Sequence, residues 1–299
     1  MKVGEANFTV SVVLKPQNGD FYMKIGLIDY YLDEFHANNY PAWISDATSG
    51  EIKAAYAYAK IDSPIGGLTT DQWCETYKIR RIHTIEEIVQ LSDAIIVLSP
   101  DNPEQHEKLC DLPLKSGKPV YVDKTFAEIK EIAERIFAIA DIHNTPCYST
   151  SALRYATEFH GLDIGSIENI SSWGPGPLGM YTIHQLEPII AHMGPNICRV
   201  MFTGTQKWPS YVCEYTDGRR AAISHHGWEC PFTMAISMSD GTTKMVKVES
   251  DFFKEFINDM VDFFRTGKDK VPPQETIAVI ATREAAIKAA KLPGQWIAV

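Results

Sequence analysis

The side chains best suited to acid–base chemistry lie in two segments that are far apart in the sequence. Lys124 stands in VDKTF, directly after a short apolar run, and His184 and Glu187 stand in MYTIHQLEPIIAHMG. An ammonium group can stabilise a developing oxyanion, and an imidazole with an ordinary pKa of about 6.5 can carry a proton near neutral pH. His184 and Glu187 are three residues apart, so they share one face of a helix. The pattern predicts one site built from both segments.

Two other patterns resemble binding motifs but do not support one. GPGPLG at 174–179 matches G-x-G-x-x-G, yet Pro175 and Pro177 lack the N–H groups that a pyrophosphate would need. We interpret this segment as a rigid loop. His225 and His226 are adjacent, so on a strand they point to opposite faces and cannot easily share one metal ion. We therefore predict no metal site.

The elements that must position Lys124 form a regular pattern from residue 23 to about residue 148. Predicted strands alternate with predicted helices, which is typical of a parallel sheet covered on both faces. We expect strands at 24–28, 51–59, 94–99, 119–123 and 145–151, and helices near 33–44, 69–77, 103–116 and 126–143. Lys124 then follows a strand directly, at the sheet edge where ligands of such folds bind.

The pattern changes in the second half of the chain. Five predicted strands between residues 196 and 248 are joined by turns such as TDGR and SDGT, which indicates a mainly antiparallel sheet. Two predicted helices, ending at Gly267 and before Pro293, close the chain. The fold class is therefore α/β, with an N-terminal extension at 1–22, a doubly wound domain at 23–148 and a second α/β domain at 149–299.

Composition and charge exclude several kinds of partner. The 299 residues carry a net charge of −10 and no basic run, so the electrostatic signature of nucleic-acid or anionic-membrane binding is missing. No apolar stretch reaches the roughly 18 residues of a transmembrane helix. The six cysteines show no C-x-x-C spacing, which favours reduced thiols in a cytoplasm. We expect a cytoplasmic protein with a small-molecule ligand.

The segment SDAIIVLSPDNPEQHEKLCDLPLKSGKPVYVDKTFA resembles the Gfo/Idh/MocA family of oxidoreductases. That family has a strand ending in a-T-P-n, then a His, G-K-H-V and E-K-P. Arg154 in ALRY, His184 in MYTIH and the closing segment FRTGKDKVPPQETIAVIATREAAIKAA also resemble it, so the likeness runs from about residue 23 to the end. The resemblance implies a Rossmann-like domain that binds NAD or NADP, a substrate domain, and a homodimer or homotetramer. It also implies oxidation or reduction of a sugar, polyol or related hydroxy or oxo compound.

The resemblance implies roles for individual residues. Lys124 orients the substrate oxygen and His184 transfers its proton, which makes this pair catalytic. Arg154, Glu187 and Tyr181 are implied to bind substrate, and Trp173, before the proline loop, is a candidate for stacking on a sugar ring. The implied cofactor-binding residues are Ile28, Asp29, Tyr30, Asp62, Ser99, Pro100, Asn102, His106, Asp123 and Lys124.

The first strand-to-helix turn departs from the family pattern. The three glycines of the dinucleotide fingerprint fall on Asp29, Tyr31 and Glu34, and Asp33 adds a further carboxylate where a phosphate would lie. Two unit charges about 4 Å apart repel by about 4 kcal/mol at an effective dielectric near 20. We predict that Asp33 caps the helix and that its neighbours occupy the anion site.

These departures leave an alternative open. The protein would then be a family member that has lost dinucleotide binding. It would serve as a small-molecule binding or regulatory protein, or as a redox-neutral enzyme that uses Lys124 and His184 for acid–base chemistry.

Overall fold

The computed structural model describes residues 22–269 and 271–299. Its first sheet has six parallel strands in the order β3-β2-β1-β4-β5-β6. They are β1 (Met23–Asp29), β2 (Ile52–Ala59), β3 (Arg80–Arg81), β4 (Ala94–Val97), β5 (Val120–Val122) and β6 (Cys147–Tyr148). This order is that of the Rossmann fold, in which the winding reverses between β1 and β4. The predicted doubly wound sheet is confirmed.

Helices cover both faces of this sheet, which explains why β4 (AIIV) is apolar and fully buried. They are α1 (Phe35–Ala47), α2 (Thr70–Tyr77), α3 (Ile85–Leu91), α4 (His106–Cys110) and α5 (Lys130–Ile142). The helix predicted over 103–116 is instead three short pieces. Pro103 and Pro113 each begin a separate turn of 3-10 helix on either side of α4, because proline breaks a continuing helix and is favoured at the start of one.

The second sheet has seven strands in the order β12-β11-β7-β10-β9-β8-β13. They are β7 (Ile167–Pro175), β8 (Ile197–Phe202), β9 (Ser210–Tyr215), β10 (Arg220–His226), β11 (Thr233–Met238), β12 (Thr243–Lys247) and β13 (Trp296–Ala298). Only β7 and β10 pair in parallel. Two helices, α6 (Leu178–Met193) and α8 (Pro273–Ala289), pack against one face. The mainly antiparallel sheet is therefore confirmed, although β7 and β13 were not expected from the sequence.

One helix from the second half of the chain belongs to the core of the first sheet. This helix, α7 (Phe252–Thr266), packs against α1. Phe256 and Phe263 are buried there, with ring centroids 5.5 Å from Tyr121 and 4.6 Å from Tyr148, respectively. The chain therefore returns to its N-terminal half after building the second sheet. A boundary near residue 148 stays a prediction.

From the composition we expect no transmembrane helix and reduced cysteines. Within 22–269 and 271–299, no helix is both long and apolar enough to cross a membrane. All six cysteines are unpaired. Burial raises the pKa of the Cys74 thiol to about 11, and burial also raises the pKa of the Cys110 thiol. These two thiols are packing groups rather than nucleophiles.

We expect Gly26→Ala to destabilise the fold, because β1 passes close to α3 at this residue. A Cβ on Gly26 would lie 2.3 Å from Ser92 Oγ and 2.6 Å from Ile88 Cγ2. The helix must move to accommodate the methyl group, which should lower the free energy of unfolding by about 1–3 kcal/mol. Gly179→Ala in α6 is the matched control, since a Cβ there meets no atom within 4 Å. Urea denaturation of both variants measures the difference, and equal losses would contradict the prediction.

Candidate functional site

A cavity of about 500 Å³ lies between the carboxyl edge of the first sheet and the start of α6. Its polar wall includes Glu34, His36, Asp123, Lys124, Tyr181 and His184. The first four belong to the Rossmann-like half and the last two to the second half. Both residues predicted to be catalytic, Lys124 and His184, therefore line the same cavity.

Lys124 and His184 reach this cavity from opposite sides. Lys124 lies just beyond β5, and His184 lies in the second turn of α6. Ser151 Oγ is 2.7 Å from His184 Nδ1, which orients the ring and leaves Nε2 without a bond to any described residue. Burial, together with the charges of Lys124 and His36, lowers the pKa of His184 to about 3. His184 is therefore a neutral imidazole at neutral pH.

The N-terminus of α1 is capped by Glu34, not by Asp33 as predicted. The Glu34 carboxylate accepts the backbone N–H of His36 at 2.7 Å and also that of Ala37. The cap is Glu34 because the helix begins one residue later than predicted, at Phe35. Its neighbour Asp33 turns away and accepts the Leu68 N–H at 2.8 Å. The expectation that carboxylates fill this anion site agrees with the structure.

Asp29 ends β1 at the position of the first fingerprint glycine, and its side chain is buried. Its Oδ1 accepts the backbone N–H of Tyr30 at 2.6 Å and the Ser99 hydroxyl at 2.8 Å. Its Oδ2 is buried with no hydrogen-bond partner among the described residues. Burial raises the pKa of Asp29 well above its ordinary value, and that of Glu34 likewise. Both carboxyls are therefore more readily protonated than exposed ones.

The other predicted cofactor-binding residues are scattered around this turn. Pro100 and Asp123 line the cavity, whereas Ile28 is buried in β1. Asp62 is exposed and accepts the Thr70 N–H at 2.7 Å, near the start of α2.

Further residues of that set make contacts of their own. The Tyr30 ring lies under Lys60 Nζ, 5.7 Å from the ring centroid. Asn102 Nδ2 donates to Glu104 Oε1 at 3.0 Å. His106 is buried with one ring nitrogen beside Leu98 O and the other 3.0 Å from Phe126 O, so it ties β4 to the segment after β5. Neither of its nitrogens is left for a ligand.

Arg154 and Glu187, predicted to bind substrate, pair with each other outside the cavity lining. Arg154 Nε is 2.9 Å from Glu187 Oε2, and Arg154 Nη2 is 2.6 Å from Glu275 Oε2. Thr150 Oγ1 donates to the same Glu187 oxygen at 3.1 Å. This buried ion triad joins α6 to α8, and a substrate role for its members stays a prediction.

The GPGPLG segment shapes the second half of the cavity. It contains the end of β7, a turn at Gly176 with φ of 78°, and the start of α6. A Cβ on Gly176 would lie 2.5 Å from the ring of Tyr181, so glycine lets that ring pack over the turn. Tyr181 then stacks edge-on against His184, with centroids 5.0 Å apart. Trp173 does not line the cavity; its neighbour Ser172 faces α6 and binds Gln185 at 2.6 Å, so Trp173 points to the opposite face.

Trp228 and His36 are among the cavity residues that the sequence analysis missed. Trp228 follows β10 and packs edge-on against Tyr181 at 4.9 Å, but it lies in a loop with no periodic pattern. His36 lies in the first turn of α1, where its Nδ1 contacts Asp123 Oδ2. Sequence reasoning considered Asp29, Asp33 and Glu34 only for their effect on phosphate binding. The signal for His36 was a histidine two residues after Glu34, in the first turn of the predicted helix.

Comparison with known proteins identifies the fold. No protein-family model and no curated protein matches the chain. Among solved structures, apo scyllo-inositol dehydrogenase from Lactobacillus casei is 15% identical, with a TM-score of 0.72 over 93% of this chain and 98% of that one. An NAD binding oxidoreductase from Klebsiella pneumoniae is 12% identical, with a TM-score of 0.71 over 93% and 99%. GenD2 from gentamicin A biosynthesis, solved in complex with NAD, is 14% identical, with a TM-score of 0.69 over 96% and 99%. The fold implied by the resemblance is confirmed.

Removing Arg154 should destabilise the protein strongly. Its side chain is only 10% exposed, and Arg154→Ala would leave the buried Glu187 and the partly buried Glu275 without their cation. Breaking a buried pair in this way costs about 3–5 kcal/mol. Arg135→Ala is the matched control, because the Arg135–Glu107 pair is exposed and should contribute less than about 1 kcal/mol. Thermal and urea denaturation compare the two, and a loss below 1 kcal/mol for Arg154→Ala would refute the structural role.

His184 should make the fold sensitive to acid. Its pKa is about 3 in the folded protein and about 6.5 in an unfolded chain. Between these values the unfolded chain binds a proton that the folded protein does not, so stability falls as the pH drops below about 6.5. From pH 7 to 5, His184→Gln should therefore lose about 1–2 kcal/mol less stability than the wild type. Urea denaturation at both pH values tests this, and parallel losses would contradict it.

Proposed function

We propose that the protein is an NAD(P)-dependent oxidoreductase acting on a sugar, polyol or related hydroxy or oxo compound. The observation that carries this proposal is that Lys124 and a neutral His184 line one cavity from opposite sides. The likeness of nearly the whole chain to solved oxidoreductases supports the class of reaction.

Lys124 and His184 can supply the polar part of such a reaction. The Lys124 ammonium would donate to the substrate oxygen and stabilise negative charge on it. The free Nε2 of His184 would hydrogen-bond to the same hydroxyl or to its neighbour. Since Ser151 fixes Nδ1, the imidazole is oriented before the substrate arrives.

The lining of the cavity suits a small polar compound with an apolar face. Tyr181 and Trp228 form an edge-on aromatic pair at the mouth, and Trp228 is 67% exposed. Aromatic rings of this kind can pack against the C–H face of a sugar or polyol, while Lys124 and His184 bind its hydroxyl groups.

The residues at the N-terminus of α1 do not fit a pyrophosphate in the arrangement that the structure shows. In Rossmann domains this helix end supplies N–H donors to the phosphates, but here Glu34 already binds the N–H groups of His36 and Ala37. Asp29 stands where the backbone of a glycine would approach the phosphates. Binding of NAD or NADP at this helix therefore requires Glu34 to leave it.

The same observation favours a second candidate, a redox-neutral enzyme. Such an enzyme would move protons at a carbon next to an oxygen, with Lys124 and His184 binding that oxygen, and would need no dinucleotide. The Glu34 cap would then be a permanent part of the site.

The proposal also includes the oligomeric state and the cellular location of the protein. Helices α6 and α8 pack on one face of the second sheet, and its other face could pair with a second copy in a homodimer or homotetramer. A cytoplasmic location suits the six unpaired cysteines.

Titration with NADH and NADPH, followed by nicotinamide fluorescence, distinguishes the two candidates. We expect Glu34→Ala to bind NADH roughly ten- to a thousandfold more tightly than the wild type, because it removes a carboxylate from the phosphate site. Asp71→Ala is the matched control, since Asp71 is an exposed carboxylate in the first turn of α2.

Micromolar binding by the wild type would support the oxidoreductase. If neither the wild type nor Glu34→Ala binds NADH or NADPH at millimolar concentration, the oxidoreductase proposal is wrong and the redox-neutral candidate is favoured. Equal gains in Glu34→Ala and Asp71→Ala would show that only the net charge matters and that Glu34 does not block the site.

A further inference from the structure

A histidine–carboxylate pair lies in the wall of the cavity opposite His184. His36 Nδ1 contacts Asp123 Oδ2, and both side chains are almost fully buried. Both residues also line the cavity. His36 comes from the first turn of α1 and Asp123 from the end of β5, so two neighbouring elements of the Rossmann-like half hold the pair together.

Hydrogen bonds to Asp123 and a ring contact with His36 fix the position of the pair. Asp123 Oδ1 accepts the Lys124 N–H at 2.9 Å and lies 3.1 Å from the Tyr121 hydroxyl, so Oδ2 is left for His36. The His36 ring stacks on Tyr40, with centroids 4.9 Å apart and planes inclined by 11°. The imidazole therefore has a fixed position and a fixed partner, which is how a carboxylate selects one histidine tautomer.

The second ring nitrogen of His36 is available to a ligand. Asp123 occupies Nδ1, and Nε2 has no hydrogen-bond partner in 22–269 and 271–299. Nε2 is also not among the buried polar atoms that lack a partner. Since His36 lines the cavity, the accessible surface of Nε2 faces its interior.

The two cavity histidines differ in the charged groups that lie near each imidazole. A proton on His36 would be balanced by the adjacent Asp123 carboxylate. A proton on His184 would face the positive charges of Lys124 and His36, with Asp123 as the only opposing influence. His36 is therefore the better place for a proton taken from a ligand.

We propose that His36 is the proton-transfer residue of this cavity, that Asp123 is its positioning residue, and that their ligand is a small hydroxy or oxo compound. This inference rests on the proposed function in one respect, that the ligand binds in the same cavity. It holds for the oxidoreductase and for the redox-neutral enzyme alike.

The proposed step is a simple proton transfer. The O–H bond of the ligand breaks, the proton moves to His36 Nε2, and the electron pair stays on the oxygen. The resulting alkoxide is stabilised by the Lys124 ammonium, while the charge on the imidazolium is balanced by Asp123. No oxidant or reductant takes part in this step. His184 then acts as a neutral hydrogen-bonding group.

Acylation by diethyl pyrocarbonate tests the proposal without any knowledge of the substrate, because this reagent attacks an accessible, unprotonated imidazole nitrogen. Peptide mass spectrometry would follow each histidine separately. In the wild type we expect His36 to react through its accessible Nε2, more slowly than exposed His143, and fully buried His106 to stay unmodified. In Asp123→Asn the rate at His36 should fall by roughly tenfold or more, because the tautomer is no longer fixed.

A second measurement is made on the wild type, and two variants serve only to assign its signals. Proton and nitrogen NMR of the wild-type imidazoles should show His36 protonated on Nδ1, with a proton signal far downfield that His36→Gln removes and His184→Gln keeps. Protonation of neutral His36 on Nε2 instead, or a wild-type His36 that stays unmodified while His143 reacts fully, would overturn the proposal. Either result is independent of NADH binding, so a failure here is distinct from a failure of the proposed oxidoreductase.

Discussion

The bond between the Glu34 carboxylate and the first N–H groups of α1 determines what the first sheet can hold at its carboxyl edge. A helix N-terminus binds anions because several donors point the same way along the dipole. Here the chain supplies its own anion, so those donors are already satisfied. Burial raises the pKa of both Asp29 and Glu34, and the charge of Asp123 raises both further. A cofactor phosphate at this edge must displace Glu34 from those donors.

Asp123 is the neighbouring carboxyl that stays ionised. Burial works to raise its pKa, but the contacts with His36 and Lys124 outweigh burial, and its pKa lies below the ordinary value. It therefore remains a carboxylate beside His36 and the Lys124 ammonium, while the pKa values of Asp29 and Glu34 move upward. The site thus combines one firmly ionised acid with two that are easily protonated. This separation of roles among neighbouring carboxyls is a common property of acid–base sites.

Much of the fold could be predicted from the sequence, because strands such as AIIV and helices such as α5 carry periodic patterns. The alternation of strands and helices predicts a parallel sheet covered on both faces, whereas the strand order is known from the structure. Strand β7 was not predictable in this way, since IENISSWGP mixes polar and breaker residues and is a strand only because β10 and β11 flank it.

Less of the site could be predicted, and for a physical reason. Lys124 and His184 were found because position at a strand end and spacing on a helix are local properties. The pairing of His36 with Asp123 joins residues 87 positions apart, and no local pattern reports it. The same holds for Arg154, whose partner Glu275 is 121 positions away. The choice of Glu34 over Asp33 as the cap depended on a shift of one residue in the helix start, which propensity does not resolve.

Helix α7 has a consequence for how the protein can be divided. Its phenylalanines complete the aromatic core around Tyr121 and Tyr148, so the N-terminal half is an interrupted unit rather than a separable one. A fragment ending near residue 148 would lack α7, would expose the apolar surface that α7 covers, and would tend to aggregate.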